Sequence, residues 1–133
     1  MANPTFGVTV LDLETEMFGE KGITGGPRGQ ATAERLIVEI CTEVAQRIRA
    51  VRIDPATIDA AGAPEAFGFC RTTVMYGVAA ELTRRIQGTE PELAASREEK
   101  YQARLSQITH ETHIVLRDAA LRTSSGSVRH VFV

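Results

Sequence analysis

The chain has 133 residues, of which 43% are hydrophobic and 24% charged, and its formal net charge is -2. This length suits one domain with a single core, and the composition is that of a soluble globular protein, which excludes disorder as the main state. With 15 basic against 17 acidic residues, the totals give no electrostatic footprint for nucleic acid or an acidic membrane surface.

The segment Thr9–Gly19 predicts a short first helix. Thr9 is a suitable N-cap, Asp12 stands where a capping-box partner belongs, and Gly19 can adopt the left-handed conformation that closes a helix. We therefore expect the chain to begin its fold with a capped helix of a few turns.

The stretch GEKGITGGPRGQ, residues 19–30, contains five glycines and raises the question of phosphate binding. A P-loop needs a preceding buried strand and a Lys and Ser/Thr after its last glycine, whereas Gln30 and Ala31 follow Gly29 here and a helix precedes. The dinucleotide pattern GxGxxG is also absent. We interpret the stretch as a flexible connector in which Ile23 and Arg28 offer contacts to a neighbouring subunit or partner.

Two amphipathic helices are predicted next. Apolar residues recur at helical spacing from about Thr32 to Arg52, and Asp54–Pro55 is expected to end that helix. A proline-bounded connector then leads to a helix from Pro64 to Gly88. Small side chains at Gly77–Ala80 predict a close crossing with another helix, since they let a second backbone approach.

The capping box Thr89–Glu92, with a proline in the first turn, predicts a final helix of about thirty residues. Residues 124–127, SSGS, break it, and the six residues that follow are β-prone. A lone strand needs a sheet to join, and this chain has no second strong strand. The sequence thus predicts an all-α fold, a small helical bundle of one short and three longer helices over residues 1–123, with an extended tail at 124–133.

The spacing of the histidines, carboxylates and nucleophilic residues matches no catalytic or metal-binding motif. His110 and His113 are three apart, whereas the zinc-protease helix needs HExxH and no third Cys or His converges with them. Glu14 with Glu16 and the pair at 98–99 lie in exposed-looking charge runs without a visible acid/base partner. No Ser or Cys has the context of a nucleophile elbow. We expect no enzyme activity, no catalytic or metal site and no cofactor.

Cys41 and Cys70 each fall within an apolar helical pattern and are interpreted as buried free thiols rather than a disulfide. No apolar run reaches the roughly 18 residues of a membrane span, and the amino end has no signal-peptide pattern. We expect synthesis in a reducing cytoplasm and no membrane association, with later export inside an assembled particle left open.

The order of these elements resembles that of the head-to-tail connector, or adaptor, proteins of long-tailed bacteriophages and phage-like gene transfer agents. Three segments carry the resemblance: the capped segment Thr9–Gly19, the small-residue segment Val74–Leu82 (VMYGVAAEL) and the segment Glu98–Ile108 (EEKYQARLSQI). Together with the elements between them, these segments extend the resemblance over most of the chain.

The resemblance implies a structural protein of the virion neck. Members of that family form rings, commonly of twelve subunits, that dock under the portal and pass the DNA channel to the next neck or tail protein, a stopper or tail terminator. DNA would traverse the channel without sequence-specific binding. The carboxyl-terminal extension of such a protein is a candidate for gripping the portal, and here it comprises Ser127, Val128, Arg129, His130, Val131, Phe132 and Val133.

A mechanism for that docking follows from the residues themselves. A β-prone end tethered by SSGS can add as a strand to an exposed sheet edge, with Arg129 supplying a charge contact; a disordered terminus is the alternative. The alternative for the whole chain is a small cytoplasmic helical regulator or protein-interaction module, dimeric through the long last helix. Arg84–Arg85 alone gives little support for DNA recognition.

Overall fold

The computed structural model describes residues 6–18, 26–87 and 91–108, and these residues form four α-helices and no β-strand. The predicted all-α helical bundle is therefore confirmed for this part of the chain. The β-prone tail, His110, His113 and the second half of the predicted last helix lie outside the described residues.

Helix α1, Val10–Leu13, is short and continues into a π-helical turn at Glu14–Phe18. Its start is the capping box expected from the sequence: the Asp12 amide donates to Thr9 Oγ1 (3.2 Å) and the Thr9 amide donates to Asp12 Oδ2 (3.1 Å). These reciprocal bonds satisfy two amides that have no partner within the helix. Gly19, the expected terminator, lies outside the described residues.

Helix α2 spans Gly26–Ala50, so it begins earlier than the predicted start near Thr32. The connector interpretation of residues 26–30 is therefore wrong. Pro27 stands in the first turn, where its missing N–H has no intrahelical role, and Gln30 Nε2 donates to Glu14 Oε2 (3.1 Å), which ties this turn to the preceding segment. Gly29 is buried, so its lack of a side chain suits packing.

Helix α2 also ends before Asp54–Pro55. Arg52 has a φ of 66°, and the Ile53 amide donates to the Ile48 carbonyl (3.3 Å), a helix-closing geometry usually given to glycine. Asp54 instead caps a 3-10 turn, Pro55–Thr57, by accepting from the Ala56 amide. Helix α2 therefore ends because Arg52 adopts the left-handed conformation, and Asp54 begins the connector.

Helix α3, Pro64–Leu82, starts with proline in its first turn as expected and continues as a π-helical turn, Thr83–Gln87. It packs against both α2 and α4 and is apolar nearly all round, which marks it as the central helix. Helix α4 is described over Pro91–Ile108.

The core lies where α2, α3 and α4 meet, and Phe6 and Val8 of the segment before α1 are buried in it. The largest fully buried side chains are Phe6, Leu13, Leu36, Val44, Ile48, Val74, Met75, Val78, Leu82, Leu105 and Ile108. Because burying each such side chain contributes roughly 1.5–3 kcal/mol, this set dominates the stability of the bundle. The helices then act as rigid supports for the surfaces described next.

Candidate interaction surfaces

Of the contact residues predicted from the sequence, only Arg28 belongs to the described residues. Ile23 and the tail residues 127–133 lie outside the described residues. Arg28 lies in the first turn of α2 and is exposed, so it belongs to a helix rather than to a loop. Its side chain projects from a fixed backbone.

Helices α3 and α4 cross closely at Gly77, as the small-residue pattern predicts. A Cβ built on Gly77 would lie 2.8 Å from the Tyr101 ring and 2.9 Å from Ile40 Cγ2. Such contacts are closer than packed carbon atoms tolerate. Glycine at this position therefore sets the distance between α3, α4 and α2.

Tyr101 is buried at this crossing, and its hydroxyl donates to the Glu43 carboxylate across the α2–α4 interface. Burial first, and then the bond to Glu43, raises the pKa of the Tyr101 phenol. The phenol thus stays protonated as a donor, and it connects the apolar crossing to a charged surface beside it.

That charged surface is an acidic cleft between α2, α3 and α4, lined by the carboxylates of Glu39, Glu43, Glu81 and Glu98. Arginines offset part of this charge. Arg84 lies 2.6 Å from Glu81 and 3.6 Å from Glu98, and Arg85 lies 3.1 Å from Glu81. The Arg84–Arg85 pair is thus engaged with carboxylates of its own bundle.

A cation–aromatic face, formed by Phe69, Tyr76, Lys100 and Arg104, occupies the other flank of the α3–α4 pair. Arg104 Cζ lies 4.9 Å from the Phe69 ring centroid and 5.5 Å from that of Tyr76. Lys100 Nζ lies 5.4 Å from the Tyr76 centroid. These are cation–π distances, and among the described residues neither cation has a carboxylate within ion-pair distance.

An apolar groove runs between α1 and α2. Its lining residues are Val8, Thr9, Val10, Leu11, Gln30, Glu34, Ile37 and Val38. Leu11 and Val38 are 69% and 50% exposed, and they are the exposed large hydrophobic residues of the described part. Two such side chains in one groove form a patch, whereas single exposed apolar residues need no explanation.

Two arginines fasten the segment 6–18 to the bundle. Arg71 lies 2.8 Å from Glu16 and 3.4 Å from Asp12, and its hydrogen bond to Glu16 is the main cause of its raised pKa. Arg97 donates to the Met17 carbonyl and to Thr83 Oγ1 (2.9 Å), and lies 5.0 Å from the Phe18 ring centroid. Glu16 therefore has an ion-pair partner, Arg71, which could not be identified from the neighbouring sequence.

Cys41 and Cys70 are free and fully buried, which confirms the interpretation of both as core thiols. Burial raises the pKa of each thiol from 9.0 to about 12, and the Cys41 charge adds to the shift at Cys70. Because the thiolate is the reactive form, both side chains behave near neutral pH as small apolar groups.

Comparisons of the sequence with protein-family models and curated proteins, and of the structure with solved structures, find no match. Within the described ranges, no group of His, Cys, Asp and Glu could hold a metal ion. No helix of the described part is long and apolar enough to cross a membrane.

The cation–aromatic face and the α1–α2 groove were not apparent from the sequence. Each combines residues from two different helices, so no spacing within one helix identifies it. One indication of the groove was present in the sequence: Leu11 and Val38 are apolar residues that lie outside the buried face of their helices. Such residues indicate either a second packing face or an exposed patch.

Proposed function

We propose that this chain is a structural protein of a virion neck, in which copies form a ring that joins the portal to the next neck or tail component and continues the DNA channel. The observation that carries the proposal is the order of the elements. A short capped helix, a long amphipathic helix, a proline-bounded connector and two long helices follow one another in the described residues, and the resemblance of the sequence to connector proteins rests on this order.

The packing of the bundle is suited to a subunit of a rigid ring. Its central helix α3 is buried by α2 and α4, and the tight crossing at Gly77 fixes their spacing. A subunit built in this way presents surfaces with little internal rearrangement, and rigid partners lose less entropy on association. The formal net charge of -2 also suits a channel that DNA traverses without being held.

Docking to the portal is assigned to the tail at 124–133. Its β-prone residues can add as a strand to a sheet edge of the portal, where backbone hydrogen bonds provide affinity and alternate side chains provide register. SSGS supplies the flexible tether. This part of the proposal rests on the sequence, because the tail lies outside the described residues.

The test is binding of the full chain to the portal protein encoded in the same genome, measured by co-purification and calorimetry. Deletion of residues 124–133 is expected to abolish binding while leaving the helical circular dichroism spectrum unchanged. A variant with the tail replaced by Gly/Ser residues of equal length is the matched control for chain length, and it too should fail to bind.

Unchanged portal affinity after the deletion would show that the tail idea is wrong. Absence of binding by the intact, folded chain would contradict the neck proposal as a whole. A portal-independent dimer in that experiment would favour the alternative, a small helical regulator or interaction module.

A further inference from the structure

We propose that the α1–α2 groove of one copy of this chain receives the cation–aromatic face of the next copy. The inference rests on the proposed ring and names the surfaces that would build it. It commits to a second copy of the chain as the occupant of both surfaces.

The two surfaces complement each other chemically. The groove offers apolar side chains, among them the exposed Leu11 and Val38, with Glu34 at its rim. The opposing face offers two half-buried aromatic rings flanked by the cations Lys100 and Arg104. An apolar centre with a charged rim is the usual anatomy of a specific protein interface, and Tyr and Arg are enriched where its binding energy concentrates.

The charges on the two surfaces are available for pairing. Glu34 is exposed and, like Lys100 and Arg104, forms no ion pair within the described residues. Among the other described cations, Arg35, Arg71, Arg84 and Arg85 have carboxylate partners, whereas Arg28, Arg47, Arg49 and Arg52 have none within ion-pair distance. A neighbouring copy would supply the carboxylate that the cation–aromatic face lacks, and the cations that Glu34 lacks.

The surfaces lie on different flanks of the bundle, which decides the kind of assembly. Arg71 faces the α1 segment, where it pairs with Asp12 and Glu16, whereas Tyr76 lies on the cation–aromatic face. Arg71 and Tyr76 are five positions apart, so their side chains point about 140° apart around α3. A contact between two different patches is heterologous, and it generates a ring when the rotation closes. Two-fold symmetric dimers would require one self-complementary patch instead.

The test uses paired charge reversals in the full chain. One variant, Leu11→Lys/Glu34→Lys, makes the groove cationic; the other, Lys100→Glu/Arg104→Glu, makes the face acidic. Each surface in a homogeneous sample then meets a like-charged partner. The control, Arg49→Glu/Arg52→Glu, reverses two exposed charges at the end of α2 that belong to neither surface.

Self-association is measured by sedimentation velocity at low and high salt, with circular dichroism as the check of folding. We expect wild-type protein and the control to associate, more weakly at high salt. Each reversal should weaken association by at least about tenfold, since like charges across an interface cost several kcal/mol. Mixing the two reversed variants should restore association, because one intact groove then meets one intact face.

Three results would overturn the inference: wild-type protein that stays monomeric over its whole soluble range, folded variants that associate as wild type does, or a mixture that fails to associate. If a double reversal unfolds, Leu11→Ser and Lys100→Glu, both at exposed positions, provide the same contrast. Association through these surfaces without any portal binding would support the inference and contradict the neck proposal. Portal-bound rings that form equally well with the reversed variants would support the neck proposal and contradict the inference.

Discussion

At the scale of single residues, the two thiols show how burial alone sets chemical behaviour. Cys41 and Cys70 have no exposed surface, and their raised pKa follows mainly from the cost of placing a thiolate in the apolar core. Their placement in apolar helical patterns was sufficient to predict their burial from the sequence. The size of the pKa shift depends on the packing around them, which no local pattern gives.

We expect both thiols to resist alkylation in the folded protein. A pKa of about 12 instead of 9.0 lowers the thiolate fraction near neutral pH by about a thousandfold, and burial blocks the reagent as well. The measurement is the rate of reaction with a thiol reagent under native conditions, with the denaturant-unfolded chain as the control. Rapid native labelling of either thiol would contradict the buried placement.

The same shifts predict loss of stability at alkaline pH. The folded state holds its thiol protons above pH 9.0, where the unfolded chain releases them, so the free energy of unfolding falls as pH rises from about 9 towards 12. The slope should approach about 1.4 kcal/mol per pH unit for each thiol. Tyr101, whose pKa is also raised, contributes with the same sign at higher pH.

Urea unfolding between neutral pH and the alkaline range measures this slope. The double variant Cys41→Ala/Cys70→Ala should show a shallower fall in stability than wild type above pH 9. Equal slopes would mean that the thiols do not couple to folding.

At the scale of elements, the crossing of α3 and α4 depends on one glycine. Gly77→Ala is expected to destabilise the protein by about 1–3 kcal/mol, because the added methyl group would overlap the Tyr101 ring and Ile40. The cost of this overlap exceeds the roughly 1 kcal/mol that alanine gains in helix propensity. Gly68→Ala is the matched control in the same helix. It meets nothing within 4 Å and should stabilise by about 0.5–1 kcal/mol.

Chemical denaturation of the two alanine variants compares them directly. Opposite signs of the change in unfolding free energy would confirm the close crossing. Stabilisation by both substitutions would show that α4 does not approach α3 at Gly77.

The fastening of segment 6–18 gives a second prediction at this scale. Arg97→Met keeps much of the aliphatic length but removes the donors to Met17 and Thr83, so we expect a loss of about 1.5–3 kcal/mol, as for hydrogen bonds to charged groups. Arg35→Met removes only an exposed pair with Glu39 and should stay within about 0.5 kcal/mol of wild type.

Thermal unfolding of these two variants, with limited proteolysis of the amino-terminal segment, is the measurement. Faster cleavage before α2 in Arg97→Met alone would show that Arg97 holds the segment. Equal behaviour of both variants would contradict that role.

Helix type and order were predictable because periodic apolar residues, proline at Pro64 and the Thr9–Asp12 capping box act locally. The start of α2 at Gly26 was not predictable in this way. Its first turn contains glycines with poor helix propensity, and tertiary contacts such as Gln30 to Glu14 override that propensity. The roles of Arg71 and Arg97 were also hidden, because their partners lie 55 and 80 residues away along the chain.

At the scale of the whole molecule, the bundle presents chemically different surfaces on different flanks: an apolar groove, an acidic cleft and a cation–aromatic face. A molecule whose flanks differ and complement each other is suited to head-to-tail assembly. The proposed neck ring is an assembly of this kind.

The most direct test of the proposed neck ring is the mass of the assembly formed by the full chain with and without its cognate portal, measured by native mass spectrometry. The proposed function predicts a discrete closed oligomer on the portal, with the twelve subunits common in the family as the expected number. A chain that adds no mass to the portal, or that binds it as isolated single copies, would contradict the neck-ring proposal.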